Sequence, residues 1–216
     1  MSKRIILVHP YAPTMAPIIE AFARLWPEAE VLNLLDESLY ADVGADGVLA
    51  ADIFDRISAL LRHACASRAD GVIFTGATFS PAVEAARASL GLPVLKADEA
   101  MCEAIAACRG RVGILCTAKR ALPVIRAGVE AAAKGGPIPQ IEEICVEGAK
   151  DALVEGDDAR HNRLIAAAMA KLDGYDMLAL GQITMAPARS LLSPERAARV
   201  LVSPDASVRM IRRLLA

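Results

Sequence analysis

The stretch VIFTGATFSP, residues 72–81, predicts a buried strand that passes through a loop into the start of a helix. Its apolar and β-branched residues end at Thr75, Gly76 lets the backbone turn, and Ser80 with Pro81 is typical of a helix start. In an α/β protein we expect a nucleophile or an acid/base group at such a junction. Gly76, which has no side chain, stands there instead.

Composition favours a globular protein. The chain has 216 residues, enough for one large or two small domains, and 55% of them are apolar. The net charge is only −2, and no Lys/Arg-rich run with interleaved aromatic residues occurs, which argues against nucleic acid and membrane surfaces as partners. The apolar runs are short and no signal peptide is recognisable, so we expect a cytoplasmic protein. The 5 cysteines form no CxxC motif, so no metal site or disulfide framework is predicted.

Strand-like and helix-like segments alternate along the whole chain. This alternation predicts a doubly wound α/β architecture with mostly parallel sheets. Between the strands lie segments such as residues 51–64, whose apolar residues recur at helical spacing. The strand-like runs are RIILVHP, EVLNLL, GVIFTG and PVLKAD, followed by RVGILCT, IEEICVE, DMLALGQ and RVLVSP.

The order of these runs repeats once. Residues that match between the two copies differ by one offset, since 123 − 17, 176 − 70, 184 − 78 and 200 − 94 all equal 106. We therefore predict two pseudo-symmetric α/β halves, 1–106 and 107–216, with a C-terminal helix at about 205–216 as a candidate to pack on the first half. The alternative is one continuous sheet of roughly six to eight strands.

Ligands of open α/β sheets bind beyond the carboxyl ends of the strands. If the two halves face each other, the loops 9–14 and 75–80 lie opposite the loops 116–120 and 181–186, around one cleft. The helices that follow these loops begin at the cleft, and their free N–H groups suit an anion. A small carboxylate is the expected ligand.

In the first half, His9 ends the first strand and is the best-placed acid/base residue, although a structural, hydrogen-bonded histidine is an equal alternative. Tyr11 is expected to close over a ligand or to pack. The expected contact residues of this half are Pro10, Tyr11, Thr75, Ala77 and Thr78.

In the second half, Lys119 and Arg120 place positive charge at a helix start, which is favourable if an anion lies between them and otherwise leaves both side chains pointing to water. Gln182 overlies Gly76 in the repeat, and Thr184 overlies Thr78. The thiol of Cys116, at a strand end, is expected in the core rather than as a nucleophile. The expected contact residues are Cys116, Thr117, Arg120, Ile183 and Thr184.

GxGxxG, GxxxxGK[ST], HExxH and GxSxG are all missing from the sequence, so nucleotide, zinc-peptidase and serine-hydrolase functions lack their signatures.

Taken together, the loops resemble the aspartate/glutamate/hydantoin racemase superfamily. VHPYAPTM resembles the asparagine-proline opening of hydantoin racemases, and WPEAEVLNLLDESL, LPVLKADEAM and LGQITMAPA are similar to segments of one uncharacterised branch. The resemblance covers essentially the whole chain. It implies two pseudo-symmetric α/β domains with the active site between them, no cofactor, and often a homodimer. It also implies one catalytic cysteine at the end of the third strand of each half.

Carried over to this chain, the two cysteine positions fall on Gly76 and Gln182, and neither loop contains a cysteine. Racemisation by two thiols is therefore not expected. A glycine at the first position also resembles arylmalonate decarboxylases and would leave room for a ligand group, but those enzymes keep the second cysteine.

We expect isomerase-like or decarboxylase-like proton transfer at the α-carbon of an amino acid, hydantoin or malonate-like carboxylate, with His9 and Lys119 as acid/base groups. One alternative is a protein that binds a small carboxylate without turnover. Another is a flavodoxin-like or periplasmic-binding-like module.

Overall fold

Strands form at all eight predicted apolar runs and assemble into two four-stranded parallel sheets with helices on both sides. The computed structural model describes residues 2–43, 48–119 and 121–216. The predicted fold class, two similar α/β halves, is confirmed. The strands are β1 Arg4–His9, β2 Glu30–Leu35, β3 Gly71–Phe74, β4 Val94–Lys96, β5 Arg111–Cys116, β6 Gln140–Cys145, β7 Met177–Leu180 and β8 Val200–Val202.

Helices connect the strands, and three 3-10 segments, Ala12–Thr14, Ala77–Phe79 and Ile183–Leu191, follow the carboxyl ends of β1, β3 and β7. The α-helices are α1 Met15–Leu25, α2 Ser38–Asp42, α3 Ala51–Ala66, α4 Ser80–Arg87, α5 Glu99–Ala107, α6 Ala121–Ala133, α7 Ala149–Val154, α8 Asp158–Ala170, α9 Pro194–Ala197 and α10 Ser203–Leu214. Within the part of the chain that the structure describes, no helix combines the length and apolar character that crossing a bilayer requires.

The strand order is the same in both sheets, β2-β1-β3-β4 and β6-β5-β7-β8. The chain leaves β1 toward one side of the sheet and returns with β3 on the other side, so the order reverses between β1 and β3. It reverses in the same way between β5 and β7. Such a switch point opens a crevice at the carboxyl ends of the two central strands, where ligands of this architecture bind.

The contacts divide the chain into two units. One runs to Ala97 and includes Ser207–Ala216, and the other is Asp98–Ala206. In the first unit α3 buries Ile53, Ile57 and Leu61 against the sheet, as its helical spacing predicts. In the second unit α5 packs against α6. Each unit thus closes its own core and presents its own switch point.

Candidate functional site

The residues predicted as a site lie at the two switch points. Those of the first unit follow β1 and β3, and those of the second follow β5 and β7. Each cluster is described within its own unit. Arg120, one of the predicted contact residues, lies outside the described residues.

His9 is fully buried at the end of β1, with no exposed surface. Its Nε2 is 3.0 Å from the Oδ1 of Asn33, and its Nδ1 lies 2.9 Å from the Oγ1 of Thr75 and 3.1 Å from that of Thr14. Because the Asn33 oxygen accepts, Nε2 carries the proton and Nδ1 accepts from a hydroxyl. The hydroxyl of Thr14 donates to the carbonyl of Tyr11 at 2.7 Å, which leaves Thr75 as the donor to Nδ1.

Burial lowers the pKa of His9 below its ordinary value of 6.5, and the hydrogen bond to Asn33 opposes this only in part. The imidazole is therefore neutral near pH 7. Its two nitrogens are both engaged inside the protein, and the hydroxyl of Thr75, a predicted contact residue, is engaged with it. This placement favours the structural alternative for His9, while its role in catalysis stays a prediction.

The space beside Gly76 is filled. A Cβ atom built there would overlap the ring of Pro10 and come within 3.1 Å of Phe79 and 3.2 Å of Phe74. The expectation that this glycine leaves room for a ligand group is therefore wrong, because the buried Pro10 occupies the volume from the neighbouring strand end. Gly76 permits a close approach of two loops.

Aromatic rings surround the rest of this loop. The half-buried Tyr11 packs edge-on against Tyr40, with 6.0 Å between ring centroids, and Tyr40 packs in the same way against Phe79 at 5.0 Å. The Tyr40 hydroxyl lies 3.3 Å from the Oγ1 of Thr78. Tyr11 therefore packs against Tyr40, and Ala77 and Thr78 are half-buried.

In the second unit, Gln182 ties the two central loops together. Its side-chain Oε1 accepts a hydrogen bond from the backbone N–H of Thr117 at 2.7 Å and another from the Thr117 hydroxyl at 2.9 Å. Thr117 follows β5 and Gln182 follows β7, so this contact joins the two loops at the switch point of the second sheet. Gln182 is half-buried and Thr117 only 6% exposed.

Cys116 lies in the core, as the sequence predicts. It has no exposed surface, and a Cβ built on Gly181 would be 2.5 Å from its sulfur. Burial raises the pKa of the Cys116 thiol to about 12, with Cys145 and Glu143 adding to the effect. The thiol therefore stays protonated at neutral pH and is a poor nucleophile. All five cysteines are free, and none lies in the loops at positions 76 and 182.

Lys119 is exposed just before α6. The backbone carbonyls of Ala118 and Lys119 accept hydrogen bonds from Ala121 and Leu122 as the helix begins, at 3.0 and 3.2 Å. A 13-residue helix presents partial positive charge at this end, to which Lys119 adds a full charge. Lys119 follows Thr117 by two residues, in the segment between β5 and α6.

His161, which the sequence places in the polar run DDARHNR, is in fact buried. Its Nδ1 lies 2.7 Å from the carbonyl oxygen of Ala149 and its Nε2 lies 3.2 Å from that of Thr184. It thereby ties α8 and α7 to the loop that follows β7. The burial of His161 could have been predicted from its spacing to Ile165 and Met169, which puts all three on the same face of α8.

Thr184 and Ile183 are themselves buried, at 8% and 5% exposure.

Among the described residues, no group of three or more His, Cys, Asp or Glu side chains lies together in a way that could hold a metal ion.

A model of the family described as Asp/Glu/hydantoin racemase matches residues 11–211. No curated protein matches the chain. Among solved structures, allantoin racemase from Klebsiella pneumoniae is similar with a TM-score of 0.71 and 19% identity, over 99% of this chain and 88% of that one. Glutamate racemase from Francisella tularensis subsp. tularensis SCHU S4, in complex with D-glutamate, has a TM-score of 0.66 and 14% identity, over 99% and 81%.

Unliganded arylmalonate decarboxylase is similar with a TM-score of 0.61 and 17% identity, over 100% of this chain and 93% of that one. At these identities the likeness shows the fold.

Proposed function

Because the chain belongs to the Asp/Glu/hydantoin racemase family, we propose that it acts on a small carboxylate without a cofactor. A proton is transferred at the carbon next to the carboxylate, and the mechanism does not use two thiols. The compound is an amino acid, a hydantoin or a malonate-like acid, and the reaction is of the isomerase or decarboxylase type.

The observation that carries this proposal is the arrangement at the ends of β5 and β7. Thr117 and Gln182 are joined there by two hydrogen bonds, and the exposed Lys119 follows Thr117 by two residues, just before α6. The amide N–H groups of Gln182, the cation of Lys119 and the helix N-terminus suit a carboxylate. The same groups stabilise the negative charge that develops on the carboxylate when a proton or carbon dioxide leaves the neighbouring carbon.

The number of acid/base groups favours a reaction that needs only one proton donor. Racemisation by two groups needs a proton donor or acceptor on each face of the carbon, and positions 76 and 182 supply none. Decarboxylation needs one proton: the carbon–carbon bond breaks, carbon dioxide leaves, and the remaining enolate takes up the proton. The ammonium group of Lys119 is our proposed donor. His9 is the second proposed group, and its buried hydrogen bonds give it a competing role in holding Thr75.

Binding without turnover is the second candidate. The closed hydrogen-bond network of His9 favours it, because a histidine with both nitrogens engaged exchanges no proton with a ligand.

Incubation in deuterated water separates the two functions. The substrates are D- and L-aspartate, D- and L-glutamate, hydantoins and substituted malonates. Deuterium incorporation at the α-carbon and release of carbon dioxide are measured alongside ligand-induced shifts in melting temperature. Turnover of any of these compounds excludes binding alone, whereas melting shifts without turnover exclude the reaction for those compounds.

Variants then test the residues. We expect Lys119→Ala to reduce turnover at least about a hundredfold, the usual range for a lost acid/base group. Lys171→Ala, an exposed lysine at the end of α8, is the matched control and should leave the rate unchanged. If His9→Ala lowers the melting temperature but not the rate per folded molecule, His9 is structural.

A further inference from the structure

The orientation of the Gln182 amide is fixed by its partner. The backbone N–H of Thr117 can only donate a hydrogen bond, so the Gln182 atom 2.7 Å away from it has to be the oxygen. A rotated amide would bring two N–H groups together and lose the bond. The hydroxyl of Thr117 then donates to the same oxygen at 2.9 Å.

This arrangement uses up the acceptor capacity of Gln182. A carbonyl oxygen has two lone pairs, and Thr117 supplies a donor to each of them. What remains is Nε2 with its two N–H groups. Nε2 donates to none of the residues that the structure describes, and it does not belong to the buried atoms without a partner, so it faces solvent.

The free end of Gln182 is therefore a donor at the carboxyl end of β7, one strand away from the end of β5. We infer that Gln182 determines ligand specificity by donating from Nε2 to an oxygen of the ligand, and that it rejects ligands that place an ammonium or amide N–H group there. The inference rests on the proposed function, since it assigns a recognition role within the same site.

The chain offers a nearly isosteric test. In Gln182→Glu one carboxylate oxygen still accepts both hydrogen bonds from Thr117, so the link between the two loops is kept. Only the free end changes, from a neutral donor to a charged acceptor. A carboxylate ligand then meets a like charge instead of an N–H group, whereas a cation meets an opposite charge.

The experiment uses ¹⁵N-labelled full-length protein titrated with acetate and, separately, with methylammonium. In the wild type, acetate should shift the Nε2 amide signals of Gln182 saturably, and methylammonium should not. Gln182→Glu should bind acetate at least about tenfold more weakly, the size expected for one lost charge-assisted hydrogen bond. Thr117→Val, which removes only the hydroxyl donor, should weaken acetate binding by a smaller factor.

Each outcome separates this inference from the proposed function. If acetate shifts the backbone signals of Thr117 and Lys119 saturably but leaves the Gln182 amide unmoved, the specificity role is wrong and the carboxylate site stands. Equal acetate affinity of the wild type and Gln182→Glu also overturns the role. If neither acetate nor the acids named above shift any signal of residues 117–119 and 182–184, the proposed function fails and takes the inference with it. Should Gln182→Glu not fold, Gln182→Met removes the Nε2 donor without adding charge and is expected to weaken acetate binding more than Thr117→Val does, because Thr117→Val keeps the donor; equal losses in the two variants would overturn the role.

Discussion

Asp70 accepts a hydrogen bond from the backbone N–H of Arg4 at 2.8 Å. The second unit repeats this relationship, because Asp176 accepts from the backbone N–H of Arg111 at the same distance. Each aspartate precedes the third strand of its sheet and binds the first residue of the strand beside it. The internal repeat therefore extends to the polar groups that align the central strands.

Replacing Asp70 should destabilise the protein more than replacing Asp176, because the first hydrogen bond is half-buried and the second is exposed. Asp70→Ala leaves a half-buried strand N–H group without its acceptor, which costs about 1–2 kcal/mol of unfolding free energy, whereas water can replace the acceptor in Asp176→Ala and the cost stays below about 1 kcal/mol. Urea unfolding measures the loss. Asp55→Ala, on the exposed side of α3, is the control and should change stability by less than about 0.5 kcal/mol. An unchanged midpoint for Asp70→Ala would contradict the alignment role.

Adding one methyl group at Gly76 should be costly. Gly76→Ala overlaps the ring of Pro10, and we expect it to lower the unfolding free energy by about 1–3 kcal/mol. Gly91→Ala is the control, since nothing lies within 4 Å of a Cβ at that position. Pro10→Ala combined with Gly76→Ala should recover part of the loss, as measured by urea unfolding. Equal stability of Gly76→Ala and Gly91→Ala would show that the Pro10 ring moves aside at no cost.

The titration of His9 should make the protein less stable in mild acid. The unfolded chain takes up a proton near the ordinary pKa of 6.5, whereas burial lowers the pKa of the folded state. Between these values the unfolded state binds more protons, so the unfolding free energy falls as pH decreases below about 6.5. Above that pH His9 is neutral in both the folded and the unfolded state, so it does not make the unfolding free energy depend on pH.

Urea unfolding between about pH 5 and pH 8 tests this expectation. His9→Asn removes the titrating group and should flatten the pH dependence relative to the wild type. If the two proteins show the same slope, the stability of the fold is not linked to protonation of His9.

His161→Ala should be strongly destabilising, by about 2–4 kcal/mol, because it removes the contacts of the imidazole with the carbonyls of Ala149 and Thr184 and leaves a cavity under the loop of Thr184. His63→Ala, an exposed histidine on α3, should change stability by less than about 0.5 kcal/mol. Thermal unfolding of both variants gives the comparison. Similar melting temperatures would show that His161 does not hold this loop.

Thiol labelling should distinguish the buried cysteines from the others. With no exposed surface and a pKa of about 12, Cys116 should react with an aromatic disulfide reagent only as the protein unfolds. Cys65, Cys108 and Cys145 are half-buried and should react first. Mass spectrometry of the labelled peptides identifies the order. Early labelling of Cys116 would mean that its strand end opens in the native state.

The architecture followed from local patterns. Runs such as residues 71–74 are buried on both faces of a parallel sheet and are therefore apolar throughout, which makes such strands visible in sequence. The repeat added the two-fold arrangement, since Asp70 and Asp176 keep the same spacing in both halves.

The contacts that shape the site were not predictable in this way. Gln182 and Thr117 are 65 residues apart, and nothing in either loop says that the amide oxygen and the hydroxyl meet. Gly76 has the same sequence signature whether a ligand or a proline ring fills the space beside it. His161 lies among charged residues, and only its spacing from Ile165 along α8 indicates that it faces inward.

The contact between Pro10 and Gly76 also sets an order in which thiol chemistry could be rebuilt by protein engineering. A cysteine at position 76 becomes acceptable only after the ring at position 10 is removed, so Pro10→Ala has to precede it. At position 182 a cysteine is shorter than the glutamine it replaces, but it leaves the Thr117 N–H without its present acceptor. The substitution at position 76 is limited by steric overlap and the one at position 182 by hydrogen bonding. A library that varies these two positions alone would therefore miss Pro10, whose replacement is needed first.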